Sequence, residues 1–155
     1  MEAKKRSKAI QRLLDEISQN ASETANWTKR NKISKTTMAA MAKVQRDRFM
    51  QPGYESSAYI NRPQPIGYGQ TISQPYIVAL MTDLLGLKGD EHVLEVGSGS
   101  GYQAAILAEL LTDGHVFTVE LIPQLALRAT HCIKELGYSN VTLKQSDGYK
   151  GWPEN

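Results

Sequence analysis

The stretch EHVLEVGSGSGYQAAILAELL, residues 91–111, carries the strongest information about the fold of this chain. EHVLEV is a short apolar run of the kind that forms a strand buried on both faces of a sheet. The glycine-rich turn GSGSG follows it, and the next run, YQAAILAELL, is rich in alanine and leucine and predicts a helix. A strand that turns through glycines directly into a helix is typical of an α/β fold.

The same alternation continues towards the C-terminus. HVFTVE predicts a second strand, PQLALRATHCIKELG predicts a second helix with Pro123 at its start, and NVTLKQ predicts a third strand. Strand, helix, strand, helix and strand in succession are typical of a parallel, doubly wound sheet. The predicted fold class is therefore α/β.

The part of the chain before this sheet is polar and mostly helical. Residues 3–18 and 35–48 predict two amphipathic helices, and residues 50–72, rich in proline and glycine, predict a long irregular segment. PYIVALMTDLLGL predicts a third helix, with Pro75 in its first turn, Ser73 as a plausible N-cap and Gly86 near its end. Irregular segments of such length in compact domains often carry function.

Composition excludes several classes of protein. The chain has 155 residues, 41% of them hydrophobic, and a formal net charge of only +2, too small to indicate a nucleic-acid or membrane partner. No apolar run approaches the roughly 18 residues that a membrane span needs. A single cysteine, Cys132, excludes an intrachain disulfide and fits a reducing compartment, so a cytoplasmic location is expected.

Acidic residues and glycines follow the three predicted strands. Glu95 precedes the GSGSG turn, Glu120 ends the second strand, and Asp147-Gly148 follows the third. A glycine-rich turn alone could be purely structural, but a carboxylate at the second strand end can accept both hydroxyls of a ribose. Since open α/β sheets bind ligands at the carboxyl ends of their strands, these residues predict a nucleotide site.

The charge of the site favours one kind of nucleotide. A dinucleotide site usually reads GxGxxG and holds a pyrophosphate at the helix N-terminus. Here the spacing is GxGxG, and Glu95 stands two residues before the first glycine, where it would repel a phosphate. S-adenosyl-L-methionine has no phosphate and carries an ammonium and a sulfonium, so it fits the site better than NAD does.

With these residues in view, the chain strongly resembles the protein-L-isoaspartate O-methyltransferase family. VLEVGSGSGYQAAILAEL is similar to the first cofactor motif of the family, PIGYGQTISQPYIVALM to its segment before the sheet, and NVTLKQSDGYKGWPE to its third-strand motif. The resemblance implies a Rossmann-like S-adenosylmethionine-dependent methyltransferase sheet preceded by a helical segment. We therefore divide the chain into residues 1–73, with the substrate-side motif, and residues 74–155, the first half of the methyltransferase domain.

The resemblance also implies roles for individual residues, and no metal site. Ser73 matches the serine assigned to the active site, and Gln70, Thr71 and Ile72 match its neighbours on the substrate side. Ser146 departs mildly from the family, which usually has glycine there. The positions that match cofactor contacts are Glu95, Gly97, Ser98, Gly99, Glu120, Leu121, Asp147 and Gly148.

The expected reaction is methyl transfer to the carboxylate of L-isoaspartyl residues in damaged proteins or peptides, as a step of protein repair. Such a carboxylate is ionised at neutral pH, so Ser73 is expected to position it rather than act as a nucleophile. Tyr68 and Tyr76 could line the pocket or belong to the core. The alternatives are a small-molecule methyltransferase of the same fold, a non-catalytic cofactor-binding fragment and, less favoured, a hydride-transfer enzyme.

The resemblance leads to one further expectation, about the end of the chain. The family continues after GWPE into a fourth strand that pairs with the first, and this chain ends at Asn155. Two right-handed crossovers would place both helices on one face of the sheet. We therefore expect a truncated form with impaired catalysis that self-associates through the exposed edge of HVLEV.

Overall fold

The computed structural model describes residues 3–152, which form two compact units that divide after Gly86. The outermost residues of the predicted ranges, 1–2 and 153–155, lie outside the described part. Those residues include Pro153 and Glu154 of the GWPE motif.

The first unit contains four helices: α1 (Ala3–Glu23), α2 (Ala25–Thr28), α3 (Lys35–Lys43) and α4 (Pro75–Leu85). Helix α1 continues beyond the predicted residue 18, and its apolar face buries Leu13 and Ile17. Helix α3 ends earlier than predicted, because Val44 is extended and residues 46–49 form a separate 3-10 turn. Met41 and Val44 are buried in this unit.

The segment 50–72 is not irregular throughout, and the prediction was wrong for its second half. Gln64–Gly67 (β1) and Gln70–Ile72 (β2) pair as an antiparallel hairpin. Tyr68 and Gly69 connect the strands with φ values of 55° and 71°, the left-handed region that hairpin turns require. Ile66 and Ile72 are both buried, so the hairpin contributes apolar side chains to the core.

Helix α4 begins at Pro75, and the prediction that Ser73 caps it was wrong. Because Pro75 takes the first helical position, Gln74 is the N-cap residue, and it makes no side-chain capping bond. Gly86 ends the helix in the left-handed conformation, as expected. Asp83 of α4 accepts a hydrogen bond of 2.8 Å from the backbone N–H of Ser34, so α4 belongs structurally to the first unit.

The second unit is the predicted α/β alternation. It consists of β3 (His92–Val96), α5 (Tyr102–Leu110), β4 (His115–Glu120), α6 (Pro123–Glu135) and β5 (Val141–Gln145). The three strands are parallel and lie in the order β3-β4-β5, with β4 in the centre. This arrangement confirms the α/β fold class.

Helices α5 and α6 lie side by side on one face of this sheet. At Gly101, where α5 begins, an added Cβ would lie 3.3 Å from Cβ of Ala129 in α6. Val116 and Thr118 of β4 are fully buried. The helical cover therefore falls on one face, as two right-handed crossovers would produce.

The opposite face carries a partly exposed aromatic cluster rather than a helix of this unit. Phe117 contacts His115 and Trp152, with ring centroids 4.7 Å and 5.0 Å apart. Leu94 is 42% exposed and Val96 is 63% exposed. The prediction that β3 is buried on both faces was wrong, because Leu94 and Val96 lie on the face that neither α5 nor α6 covers. Within residues 3–152 β3 also pairs only with β4, so its other side is an edge of the sheet.

Candidate functional site

The carboxyl ends of β3, β4 and β5 meet at one edge of the second unit. The carbonyl oxygen of Val119 accepts hydrogen bonds from Gly97 N (2.8 Å) and Ser98 N (3.0 Å), so the glycine turn after β3 is fixed to the end of β4. The carbonyl oxygen of Glu120 accepts from Ser146 N at 3.0 Å, which joins the end of β4 to the segment after β5. The structure thus places the three predicted cofactor-binding segments at the same edge.

Glu120 is held firmly at the centre of this edge. The residue is 7% exposed. One carboxylate oxygen accepts from Gly99 N at 2.8 Å, and the other accepts from Ile122 N at 2.9 Å. Since each carboxylate oxygen can accept a second hydrogen bond, Glu120 can still receive a pair of ligand hydroxyls.

A second carboxylate, that of Glu95, lies in a chain of hydroxyl groups. The hydroxyl of Thr118 donates to the Glu95 carboxylate, and Thr118 Oγ1 lies 2.7 Å from Ser98 Oγ. Burial raises the pKa of Glu95 to about 7, and the nearby Glu120 carboxylate also raises it, whereas the bond from Thr118 acts in the opposite direction. A bound cation would favour the ionised form of this group.

Two glycines shape the edge in different ways. Gly97 has a φ of 91°, and an added Cβ would meet no atom within 4 Å, so the backbone turns sharply beside open space. At Gly148 an added Cβ would lie 2.3 Å from Cγ1 of Val96, so the segment after β5 passes very close to the end of β3. Of the other predicted residues, Leu121 is 62% exposed, and Asp147 Oδ1 accepts from Tyr149 N at 3.0 Å.

The predicted substrate-side residues lie together in the first unit, on β2 and the residue after it. Gln70, Thr71 and Ser73 are exposed, whereas the side chain of Ile72 is buried. Ile72 can therefore offer a ligand only its backbone groups. Tyr76 is 5% exposed, so of the two alternatives, pocket lining or core, it belongs to the core. Tyr68 is 55% exposed.

A fully buried arginine fixes the backbone at Ser73. Arg46 is 0% exposed, and its guanidinium donates to the carbonyl oxygens of Ala58 (2.9 Å) and Ser73 (2.8 Å). Asn61 fixes the next residues, because its side-chain oxygen accepts from Tyr76 N at 3.0 Å. The loop that carries the predicted active-site serine is thus held from the interior of its own unit.

A family model supplies the decisive comparison. The model described as "Protein-L-isoaspartate(D-aspartate) O-methyltransferase (PCMT)" matches residues 20–155. The chain belongs to this family. The match includes the substrate-side loop and all three strand ends described above.

Several curated relatives of known name are similar to the chain. Protein-L-isoaspartate O-methyltransferase 2 of Syntrophobacter fumaroxidans is 48% identical over 144 residues, which cover 93% of this chain and 58% of the relative. Protein-L-isoaspartate O-methyltransferase 2 of an Anaeromyxobacter species is 55% identical over 117 residues, which cover 76% of this chain and 47% of the relative. The chain therefore spans about half the length of the curated relatives that it matches.

Two solved structures have the same fold. A protein-L-isoaspartate O-methyltransferase has a TM-score of 0.73 and 27% identity, with 91% of this chain and 44% of that chain covered. A protein from Plasmodium falciparum, described as a protein of the same kind in complex with S-adenosyl-L-homocysteine, has a TM-score of 0.65 and 22% identity, with 90% of this chain and 65% of that chain covered. Both agree with the Rossmann-like methyltransferase fold.

We expect the replacement of Arg46 by methionine to lower the free energy of unfolding by about 2–3 kcal/mol, because two carbonyl oxygens would lose charged donors. The matched control is Arg48→Met, since Arg48 is the neighbouring exposed arginine. We expect this control to change stability by less than about 0.5 kcal/mol. Urea unfolding of both variants measures the difference, and equal stability of the two would contradict the role given to Arg46.

Sequence reasoning missed three residues that organise this family member: Thr118, Arg46 and Asn61. Thr118 had a weak signal, because it is the polar residue inside the otherwise apolar run VFTV and shares a face with Glu120. Arg46 had none, since nothing in the pattern RDR distinguishes it from the exposed Arg48.

Proposed function

We propose that the chain takes part in S-adenosylmethionine-dependent methyl transfer to the carboxylate of L-isoaspartyl residues in damaged proteins or peptides. The observation that carries this proposal is the family match over residues 20–155. The names of the similar relatives agree with it. Because the chain covers about half of those relatives, the activity of the whole enzyme enters as a proposal for this chain.

The donor set at the strand ends supports S-adenosylmethionine as the cofactor. The predicted side chains there are the carboxylates of Glu95, Glu120 and Asp147 and the hydroxyl of Ser98. The carboxylates attract an ammonium and a sulfonium, and they accept hydrogen bonds from hydroxyl groups. They would repel a pyrophosphate. We assign Glu120 to the ribose hydroxyls and Glu95 to the cationic amino-acid end, and the cofactor when bound supplies the methyl group.

The exposed loop of the first unit supports a carboxylate substrate. Gln70, Thr71 and Ser73 offer amide and hydroxyl donors without adding charge. An ionised carboxylate needs no general base, so these residues would orient it and replace its water. A neutral environment suits a reaction in which an anion and a sulfonium lose charge towards the transition state.

A pair of peptides that differ only in one linkage tests the function. Methyl transfer from S-adenosylmethionine is measured to an L-isoaspartyl peptide and to the same peptide with a normal aspartyl residue. Transfer to the isoaspartyl peptide alone supports the proposal. Cofactor binding without transfer to either peptide would favour a cofactor-binding fragment, and transfer to small carboxylic acids but not to peptides would favour a small-molecule methyltransferase.

We expect Ser73→Ala to lower kcat about 10-fold or more while the affinity for S-adenosylmethionine changes less than about twofold. The structure sharpens this prediction, since Ser73 is exposed and is not the N-cap of α4, so its loss should leave stability unchanged. Ser56→Ala, at another exposed serine of the same unit, is the control. A large loss of stability or of cofactor affinity in Ser73→Ala would contradict the positioning role.

We also propose that the chain self-associates through β3. Two observations support this: Leu94 and Val96 are exposed, and one side of β3 has no partner strand in the described part of the chain. None of the helices within residues 3–152 is long and apolar enough to cross a bilayer. A cytoplasmic location remains a prediction, and it fits the single free cysteine, Cys132.

A further inference from the structure

Thr118 lies in the middle of the candidate cofactor site although no motif assigns it there. Its side chain is fully buried on β4, and its hydroxyl contacts two predicted cofactor residues. It donates to the Glu95 carboxylate, and its oxygen is 2.7 Å from Ser98 Oγ. A residue of β4 thereby joins the end of β3 to the glycine turn.

The count of protons gives this chain of hydroxyls a direction. A threonine hydroxyl has a single hydrogen, and Thr118 uses it for the Glu95 carboxylate. The hydrogen between Thr118 and Ser98 must then come from Ser98. The hydrogen bonds therefore run from Ser98 through Thr118 to Glu95, so the conformation of the glycine turn and the orientation of the Glu95 carboxylate are linked.

We propose that Thr118 is a positioning residue of the cofactor site, which holds the Glu95 carboxylate in the orientation and the ionised form that attract the cationic end of S-adenosylmethionine. This inference rests on the cofactor assigned under the proposed function. Thr118 acts through Glu95 and touches no reacting atom. The expected consequence is that affinity for the cofactor depends on pH near neutrality.

The charges around Glu95 determine the direction of this dependence. Burial and the Glu120 carboxylate raise the pKa of Glu95 to about 7, and the Thr118 hydroxyl lowers it. Below that pH the group is protonated and no longer attracts a cation. The charged groups of the two helices lie elsewhere: Glu109 at the end of α5 accepts from Tyr138, and Arg128, His131, Lys134 and Glu135 of α6 are exposed.

Calorimetry of S-adenosylmethionine binding between about pH 6 and about pH 9 tests the proposal. For the wild-type chain we expect the affinity to fall with decreasing pH below about 7, approaching tenfold per pH unit. Thr118→Val removes the hydroxyl and retains the shape. Because the ionised carboxylate then loses a donor, we expect about 10-fold weaker binding at pH 7 but less than about threefold weaker binding at pH 9.

Two further variants separate the hydroxyl from packing. Thr118→Ser keeps the hydroxyl and should retain the wild-type pH profile. Thr142→Val, at an exposed position of β5, is the matched control and should leave the profile unchanged. An unshifted profile in Thr118→Val, an equal loss at every pH, or an equal loss in Thr118→Ser would overturn the proposal. Thr118→Ala replaces the valine variant if circular dichroism shows the latter unfolded. A wild-type chain that binds no cofactor at any pH would refute the proposed function itself.

Discussion

Replacing Glu120 with alanine is expected to weaken S-adenosylmethionine binding by about 10- to 100-fold, as the loss of a charged hydrogen-bond acceptor predicts. Two effects combine in this variant. The assigned acceptor for the ribose hydroxyls is removed, and the amides of Gly99 and Ile122 lose the carboxylate that holds them. The glycine turn is then less well ordered before the cofactor arrives. Calorimetry at a pH well above 7 measures the loss while Glu95 is ionised.

The chain offers a closely matched control for this variant. Glu91 directly precedes β3, at the amino ends of the parallel strands and so at the end of the sheet opposite the candidate site. Its carboxylate also accepts hydrogen bonds from two backbone N–H groups, those of Lys88 at 2.8 Å and Gly89 at 3.0 Å. Glu91→Ala therefore loses the same kind of loop anchor away from the site, and we expect cofactor affinity to change less than about twofold. Unchanged affinity in Glu120→Ala would remove Glu120 from the site, and an equal loss in both variants would show a general effect of loop disorder.

Replacing Leu94 with lysine is expected to convert the chain from an associated form to a monomer at about 100 µM, within the range where exposed strand edges associate. Leu94 lies in the middle of β3 and is 42% exposed, beside the side of the strand that has no partner strand among residues 3–152. A second copy that adds its own β3 would satisfy the free backbone groups and bury this leucine. A lysine there opposes association by charge repulsion and by desolvation of the ammonium.

Light scattering coupled to gel filtration measures the result. Leu127→Lys is the control, because Leu127 is 73% exposed on α6, away from any strand edge, and its replacement should leave the association state of the wild-type chain unchanged. A wild-type chain that is monomeric at the highest concentration tested would contradict self-association. Association that persists in Leu94→Lys would place the contact elsewhere.

The periodic parts of the molecule could be predicted from the sequence. The five elements of the second unit each carry a signal of their own, such as the apolar run HVLEV or the proline that begins α6, and all five are present. The hairpin of β1 and β2 was missed because proline and glycine usually interrupt strands. Here Pro65 and Gly67 lie within β1, and Gly69 lies in the turn before β2. The exposure of Leu94 depends on which neighbours β3 has, and no local pattern contains that information.

The candidate site was predicted unevenly, for a related reason. The carboxylates and glycines follow the strands in sequence, and parallel strands bring their carboxyl ends together, so Glu95, Glu120 and Gly148 could be assigned to one edge. Arg46 donates a hydrogen bond to the carbonyl oxygen of Ser73, which is 27 residues further along the chain. Nothing in the local sequence distinguishes Arg46 from the nearby Arg48. Contacts of this kind depend on tertiary packing alone.

The central position of β4 has a consequence for the kinetics of folding. Each of its two partner strands is parallel to it, so each pairing must close a loop that contains an entire helix. A local hairpin could form early, but here no two neighbouring strands of the sheet are joined by a short turn. The conformational entropy of each long loop must be lost before any strand pair is stabilised. We therefore expect the second unit to fold more slowly than its helices form, and we expect β4 to be structured in the transition state.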